Sequence, residues 1–232
     1  MSKVTISDSV IDFGENGFKG VLVETINLIV DCNQLPLYTK VVSTTLGISI
    51  NQKSKYIFDD KLPYWVIYRN DFFDNILKKM DFGVFEVFRD RQITNSNTAL
   101  SRGDKYNVRV LKSRNILDTG EIIDIENYDS FIDAQTLSKL TVGKFYDNDD
   151  VYLTPNMTYK PRLIRKSKGY VVNGSIAILI PKDKTTNFSQ KQLDYISSNE
   201  FRTFYKIARN YQTRSLNVDK TSCYWFGMNK EI

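Results

Sequence analysis

The 232-residue chain contains no histidine. That removes the commonest general base and the commonest metal ligand from its chemistry. It has only two cysteines, Cys32 and Cys223, far apart and at no zinc-ligand spacing. They read as free thiols in a reducing compartment. The prolines at positions 36, 63, 155, 161 and 181 never adjoin. The glycines form no phosphate-binding fingerprint; Gly14, Gly17 and Gly20 lie between two strand-like segments and lead into no helix. No apolar run reaches the ~18 residues of a membrane span, and the first residues carry no signal-peptide core. G-x-S-x-G, Walker and H-E-x-x-H motifs are missing. The metal-nuclease pattern of an acidic residue followed by Glu-x-Lys is missing too, because no Lys stands two residues after Glu121 or Glu126.

What is present is an ordinary globular balance, 41% hydrophobic and 25% charged, enough to bury a full core. There are 32 Lys and Arg against 27 Asp and Glu, a net charge of +5. That balance leans toward a polyanionic partner.

Read in order, the segments 4–13 and 20–30 look like two strands, the second nearly all apolar and suited to a sheet interior. Residues 33–40 read as a linker and 41–58 as a hairpin turning at Asn51–Lys55. A helix is expected from Pro63, its buried face running from Trp65 through Tyr68, Phe72, Phe73 and Ile76 to Met80. The middle is β-rich, with strands at 84–88 and 108–111, a mobile loop at 95–104 and a hairpin tip around Gly120. Asp147–Asp150 is a turn, lacking the Gly and closing Glu of a calcium loop. The run Ser175–Ile180, between the turn signal Asn173-Gly174 and Pro181, reads as a strand buried on both faces. Ser189 to Gln192 has capping-box spacing, with one or two helices behind it, and Tyr224–Phe226 reads as an aromatic strand.

Four segments share one design, a strand or helix end followed by Arg, Lys, Asn and Gln. They are Arg89, Arg91 and Gln92; Lys112, Arg114 and Asn115; Lys160, Arg162, Arg165 and Lys166, with Lys168 beyond; and Arg209, Asn210, Gln212 and Arg214. Any one of them is more often a solvated loop. Arg makes bidentate contacts to guanine and phosphate, Asn and Gln fit adenine edges, and Lys positions the backbone. Four such clusters in a net-basic chain without catalytic residues point to nucleic-acid binding.

The chain resembles the C-terminal part of adenine-specific DNA methyltransferases of type II restriction–modification systems, most closely the type IIS-associated family. The blocks that carry the resemblance are VIDFGENGFKGVLVETINLIV, DKLPYWVIYRNDFFD, VFRDRQITNS, VLKSRNI, YLTPNMTYKPRLIRKSKGYVVNGSIAILIPK and FRTFYKIARNYQTRSLNVD. It implies an α+β fold in two parts. Residues 1–40 would be terminal strands, a short β-hairpin like the edge of a methyl-transfer domain. Residues 41–232 would be a β-rich, mixed or antiparallel target-recognition domain with a few helices. It implies double-stranded DNA as partner, a bacterial cytoplasmic setting and no membrane. It also implies a methyl-transfer enzyme using S-adenosylmethionine, yet neither the family's cofactor loop nor its Asn-Pro-Pro-Tyr motif occurs in this sequence. The expectation is therefore a recognition module with no cofactor of its own and no complete active site, acting with a catalytic subunit or domain. Phe18 stands where the family places an aromatic against a flipped-out adenine; a hydrophobic plug in a tight loop is the equal alternative. Two rival readings remain open at this level: a restriction endonuclease or other DNA-processing subunit with an unrecognised site, and a protein-interaction subunit whose basic clusters are only solvated faces.

Overall fold

The computed structural model describes residues 9–30, 36–156, 160–212 and 217–232. The chain is α+β and divides into two compact units, 1–76 with 206–214, and 77–205 with 215–232.

The first unit is built on a four-stranded sheet of order β2-β1-β3-β4, formed by β1 (Ser9–Gly14), β2 (Thr25–Ile29), β3 (Tyr38–Ser43) and β4 (Ile48–Lys53). β1 pairs antiparallel with β2 and parallel with β3. The boundary expected near position 40 therefore falls inside a strand of this sheet, because β1 needs β3 as its second partner. The linker expected at 33–40 is in part this strand, which starts at Tyr38. The hairpin turns at Thr44–Gly47 rather than at Asn51–Lys55. Gly47, at φ +65°, supplies the left-handed residue that the turn requires.

β2 stands at the sheet edge with Ile26 and Ile29 exposed. The nearly all-apolar run 20–30 predicts a strand in a sheet interior instead. Apolar runs report affinity for burial, but which strand is central depends on pairing partners the run does not encode. A short helix α1 (Ser54–Ile57) follows β4, and α2 (Asp71–Lys79) comes after an irregular stretch. α2 starts eight residues later than the Pro63 signal suggests. Asn70 sets its start, its Oδ1 accepting the Phe73 N–H at 2.9 Å. Buried Arg69, just before it, bridges Asp59 at 2.7 Å and Asp74 at 2.5 Å.

The second unit has two further four-stranded sheets. Its strands are β5 (Met80–Asp81), β6 (Phe85–Arg89), β7 (Thr98–Ala99), β8 (Tyr106–Leu111) and β9 (Ser130–Asp133), then β10 (Tyr152–Pro155), β11 (Ile164–Arg165), β12 (Tyr170–Val172) and β13 (Ile176–Pro181). The helices α3 (Ala134–Leu137), α4 (Gln190–Ile196) and α5 (Asn199–Ala208) and the strand β14 (Met228–Asn229) complete the order. One sheet runs β11-β10-β13-β6, the other β12-β8-β9-β7, and β14 pairs with β5.

Ile176 to Leu179 of β13 are fully buried, as the Ser175–Ile180 run predicts for a central strand. Ile176 and Ile178 join Val108, Val110, Leu111, Ile132, Leu153, Val171 and Val172 in one apolar core. The expected mobile loop at 95–104 is partly ordered. It holds a 3-10 turn at Asn95–Asn97, and β7 pairs with β9. The expected aromatic strand at 224–226 is instead a 3-10 turn, Ser222–Trp225. Asp219 fixes it by accepting the Ser222 N–H at 2.7 Å. Trp225 packs edge-on against Phe82 and Phe204, and Phe226, just past the turn, packs against Phe201, a cluster that favours ring packing over strand pairing. Ser189 caps α4 as expected, accepting the Gln192 N–H at 3.3 Å. The Gln192 side chain turns away and donates to the carbonyls of Asn229 and Ile232. Among the described residues, no helix is long and apolar enough to cross a membrane.

Candidate nucleic-acid interface

Three of the four basic clusters belong to the second unit, and strand pairing brings parts of them to one end of it. β13 runs antiparallel to β6 and to β10, with Ala177 opposite Arg89 and Ile176 opposite Pro155. The ends of β6 and β10 therefore lie beside the start of β13. β12 runs parallel to β8, with Val172 opposite Leu111, so the end of β8 points the same way. The turn 173–175 sits at the meeting point.

Hydrogen bonds tie this point together. Asn173 N–H donates to the Leu111 carbonyl at 3.2 Å, and Ser113 N–H to Ser175 Oγ at 2.9 Å. Asn156 N–H donates to the Ser175 carbonyl at 2.9 Å, and Val218 N–H to the Asn156 carbonyl at 3.0 Å. At Gly174 a Cβ would lie 2.5 Å from the Asp90 carbonyl oxygen. Only glycine permits that approach of two backbones.

Around this end stand exposed Arg91, Gln92, Arg114 and Lys160, with half-buried Arg89 and Lys112. Lys112 Nζ and the Arg114 guanidinium lie 4.1 and 4.7 Å from the centroid of the same ring, Tyr128. Burial, then the charge of Arg114, pulls the Lys112 ammonium below its ordinary value. Cations held against one aromatic ring lose side-chain freedom, which is what a fixed polar contact needs. Gln92 accepts the Thr141 N–H at 2.8 Å through Oε1, leaving its amide NH₂ as the part that can meet a base edge.

Several residues assigned to DNA by their sequence context are held by the fold instead. Asn115 is fully buried; it accepts the Lys112 N–H and donates to the Ile123 carbonyl and Asp129. Lys166 is also fully buried. Its Nζ donates to the carbonyls of Tyr146, Asn148 and Ser167 at 3.3, 3.2 and 2.8 Å and lies 4.7 Å from the Tyr170 ring centroid. It is no flexible phosphate arm. Desolvation by burial pushes its ammonium down to about 8. Arg165 pairs across from Tyr152, at the opposite end of β10 from Pro155. It donates to Tyr152 Oη at 3.0 Å and to Asn187. Exposed Lys168 lies past it, 3.8 Å from Asp149. The stretch 160–168 thus splits: Lys160 and Arg162 face the loop after β8, and Arg165 to Lys168 occupy the other end. Lys160 Nζ is 2.5 Å from Asp118, and Arg162 donates to the Ile116 carbonyl through Nε and Nη2.

The fourth cluster belongs to the first unit. Arg209 is buried and donates to Gln212 at 3.2 Å. Asn210 has a left-handed backbone, φ +50°, and its side chain accepts the Ile67 N–H and donates to the Trp65 carbonyl, both at 2.9 Å. It is a fold element rather than a base reader. Arg214 lies outside the described residues, as do Tyr159 and Cys32. Phe18 occupies the β1–β2 connection with 62% of its surface exposed, so it plugs nothing among the described residues. Among the described residues, no cluster of three or more acidic, Cys or His side chains could hold a metal ion.

Sequence reasoning missed Tyr128 and Asp118, which sit outside the basic runs and join them only through the fold. No protein-family model and no curated protein matches this chain.

Proposed function

We propose that this chain is a sequence-specific double-stranded DNA recognition module of an adenine-N6 DNA methyltransferase, working with a separate catalytic subunit or domain. The observation that carries the DNA part is the gathering of Arg91, Gln92, Lys112, Arg114 and Lys160 at one rigid end of a sheet framework. Cations at a strand-end surface neutralise phosphates, and fixed Arg and Gln groups read base edges. The methyltransferase part rests on the sequence resemblance. The chain contributes recognition and no methyl transfer, because the family's cofactor loop and Asn-Pro-Pro-Tyr motif are missing from the sequence. Among the described residues β2 is a sheet edge with Ile26 and Ile29 exposed, which supports a partner that adds a strand there. Phe18, exposed on the connection beside that edge, would meet a flipped adenine only once the partner is in place.

The test is duplex binding measured over a salt series with varied sequences. Binding whose affinity falls steeply with salt and differs among sequences supports the reading. Binding of S-adenosylmethionine or transfer of labelled methyl groups by the purified chain alone contradicts the division of labour.

A further inference from the structure

We propose that Tyr128 is the positioning residue of a phosphate-binding site whose cations are the Lys112 ammonium and the Arg114 guanidinium. The ligand is a phosphate group, in a duplex backbone or as free inorganic phosphate; the duplex source rests on the reading above.

The site is built outward from a buried pair of side chains. Asn115 is fully buried. Its Oδ1 accepts the Lys112 N–H at 2.9 Å, and its Nδ2 donates to Asp129 Oδ1 at 2.6 Å. Asp129 follows Tyr128 directly in the chain. One hydrogen bond therefore fixes both the loop that bears Lys112 and Arg114 and the segment that bears Tyr128. The Tyr128 hydroxyl adds a second tie by accepting the Arg114 backbone N–H at 3.4 Å. Half-buried Tyr128 then offers its ring to both cations, with Lys112 Nζ 4.1 Å and the Arg114 guanidinium 4.7 Å from its centroid.

Other cations of the chain are pinned by acids. Arg69 meets Asp59 and Asp74, Arg109 meets Asp124 and Asp129, and Lys168 lies beside Asp149. A carboxylate fixes a cation and cancels its charge in one act. An aromatic ring attracts a cation through its quadrupole and carries no net charge. Among the described residues, neither Lys112 nor Arg114 has a carboxylate in ion-pair contact. Asp129 is already committed: its Oδ1 accepts from Asn115 and from the Ile125 N–H at 3.1 Å, and its Oδ2 lies 3.6 Å from Arg109. Two positive charges thus stand against one ring with no anion of their own. Burial pulls the Lys112 ammonium below its ordinary value; Asp129 opposes that shift and the charge of Arg114 adds to it. A phosphate would relieve the repulsion, because its anionic oxygens accept from ammonium and guanidinium alike. Arg114 is exposed, so a ligand in solvent can reach it.

A ring that merely filled space would act through stability, whatever residues stand at 112 and 114. A positioning ring acts only through its two cations. The experiment compares the full chain with Tyr128→Leu, Tyr128→Phe, the double variant Lys112→Met/Arg114→Gln, and that double variant with Tyr128→Leu added. One arm measures binding of labelled duplexes of several sequences over a salt series. The other titrates inorganic phosphate and follows the Arg114 Nε–Hε NMR signal. The double variant should lower the salt slope by about two units. Tyr128→Leu should weaken binding about tenfold, alike for all duplex sequences, and lower the slope by about one unit. Tyr128→Phe, which keeps the ring, should restore most of that loss. Tyr128→Leu should change nothing further in the double variant. A response in the duplex arm alone identifies a backbone phosphodiester. A response in the phosphate arm alone identifies free phosphate and refutes the DNA reading while the site stands. Wild-type affinity and slope in the double variant overturn the site and leave DNA binding intact, whether or not Tyr128→Leu folds. A loss confined to particular duplex sequences assigns Arg114 to a base edge and overturns the phosphate site. Equal weakening by Tyr128→Leu in both backgrounds makes the ring structural and overturns its positioning role. No response of the wild-type chain in either arm overturns the proposal outright.

Discussion

The backbone N–H of Ser113 donates to Ser175 Oγ at 2.9 Å, which fastens the loop bearing Lys112 and Arg114 to the turn that starts the central strand β13. These residues are 62 positions apart in sequence. Through this contact and the Gly174–Asp90 approach, the loops after β6 and β8 are referenced to one buried strand. Rigid placement of this kind is what separates a base-reading surface from a merely basic one.

Gly174→Ala should disturb that reference directly. The new Cβ would meet the Asp90 carbonyl at 2.5 Å, and a backbone atom cannot rotate away. Denaturant melts should show a loss of roughly 1–3 kcal/mol. Duplex affinity measured at a temperature where the variant stays folded should fall as well.

Asn210 offers a test of the first unit. Asn210→Ala removes two side-chain hydrogen bonds and leaves a left-handed backbone on a residue that disfavours it. The expected loss is about 2–3 kcal/mol. Asn210→Gly relieves the backbone term and should be the milder change by about 1 kcal/mol. Equal effects from the two would remove backbone strain from the explanation.

Lys166 makes stability depend on pH. Its folded value of about 8 lies below the 10.5 of a free lysine. Between these values the unfolded chain binds more protons than the folded one, so stability rises with pH across that window. The rise is at most about 1.4 kcal/mol per pH unit for one proton. Cys223, its thiol pushed up to about 11 by burial, acts in the opposite direction above its ordinary 9.0. The contribution of Lys166 is therefore read as a difference. From pH 8 to 10, the stability of the wild-type chain relative to Lys166→Met should increase. A flat difference would mean that Lys166 stays fully charged in the fold.

The same burial shields Cys223 chemically. In a Cys32→Ser background, a thiol reagent at pH 8 should label Cys223 no faster than the protein unfolds. Rapid labelling of the native protein would contradict the enclosed position of its sulfur beside the Phe85 and Lys220 carbonyls.

How much of this was legible in the sequence varies with the range of the interaction that decides it. The central strand was plain, because Ser175–Ile180 is apolar throughout and bounded by Asn-Gly and Pro. The Ser189 cap is a local signal, and its Oγ accepts the Gln192 N–H. The edge position of β2 depends on β1 choosing β3, which no run within β2 reveals. The late start of α2 turned on one Asn70 side chain against a long apolar periodicity. For the interface, the residue types were visible, but their burial was not. Lys160 and Lys166 look alike in sequence; one meets Asp118 at the surface and the other is sealed beneath three carbonyls. Asp118 and Tyr128 carry no local mark, since they matter only as partners of cations folded onto them.

The central claim is that DNA meets the end of the second unit where β6, β8 and β10 finish, and not the end holding Arg165 and Lys168. The direct measurement compares duplex binding by the wild-type chain, Arg114→Ala and Lys168→Ala over one salt series. Arg114→Ala should lose about 1–3 kcal/mol of binding or of discrimination at one base pair, while Lys168→Ala keeps wild-type affinity and wild-type salt slope. A loss on Lys168→Ala equal to or larger than that on Arg114→Ala would put the DNA at the wrong end and contradict the account.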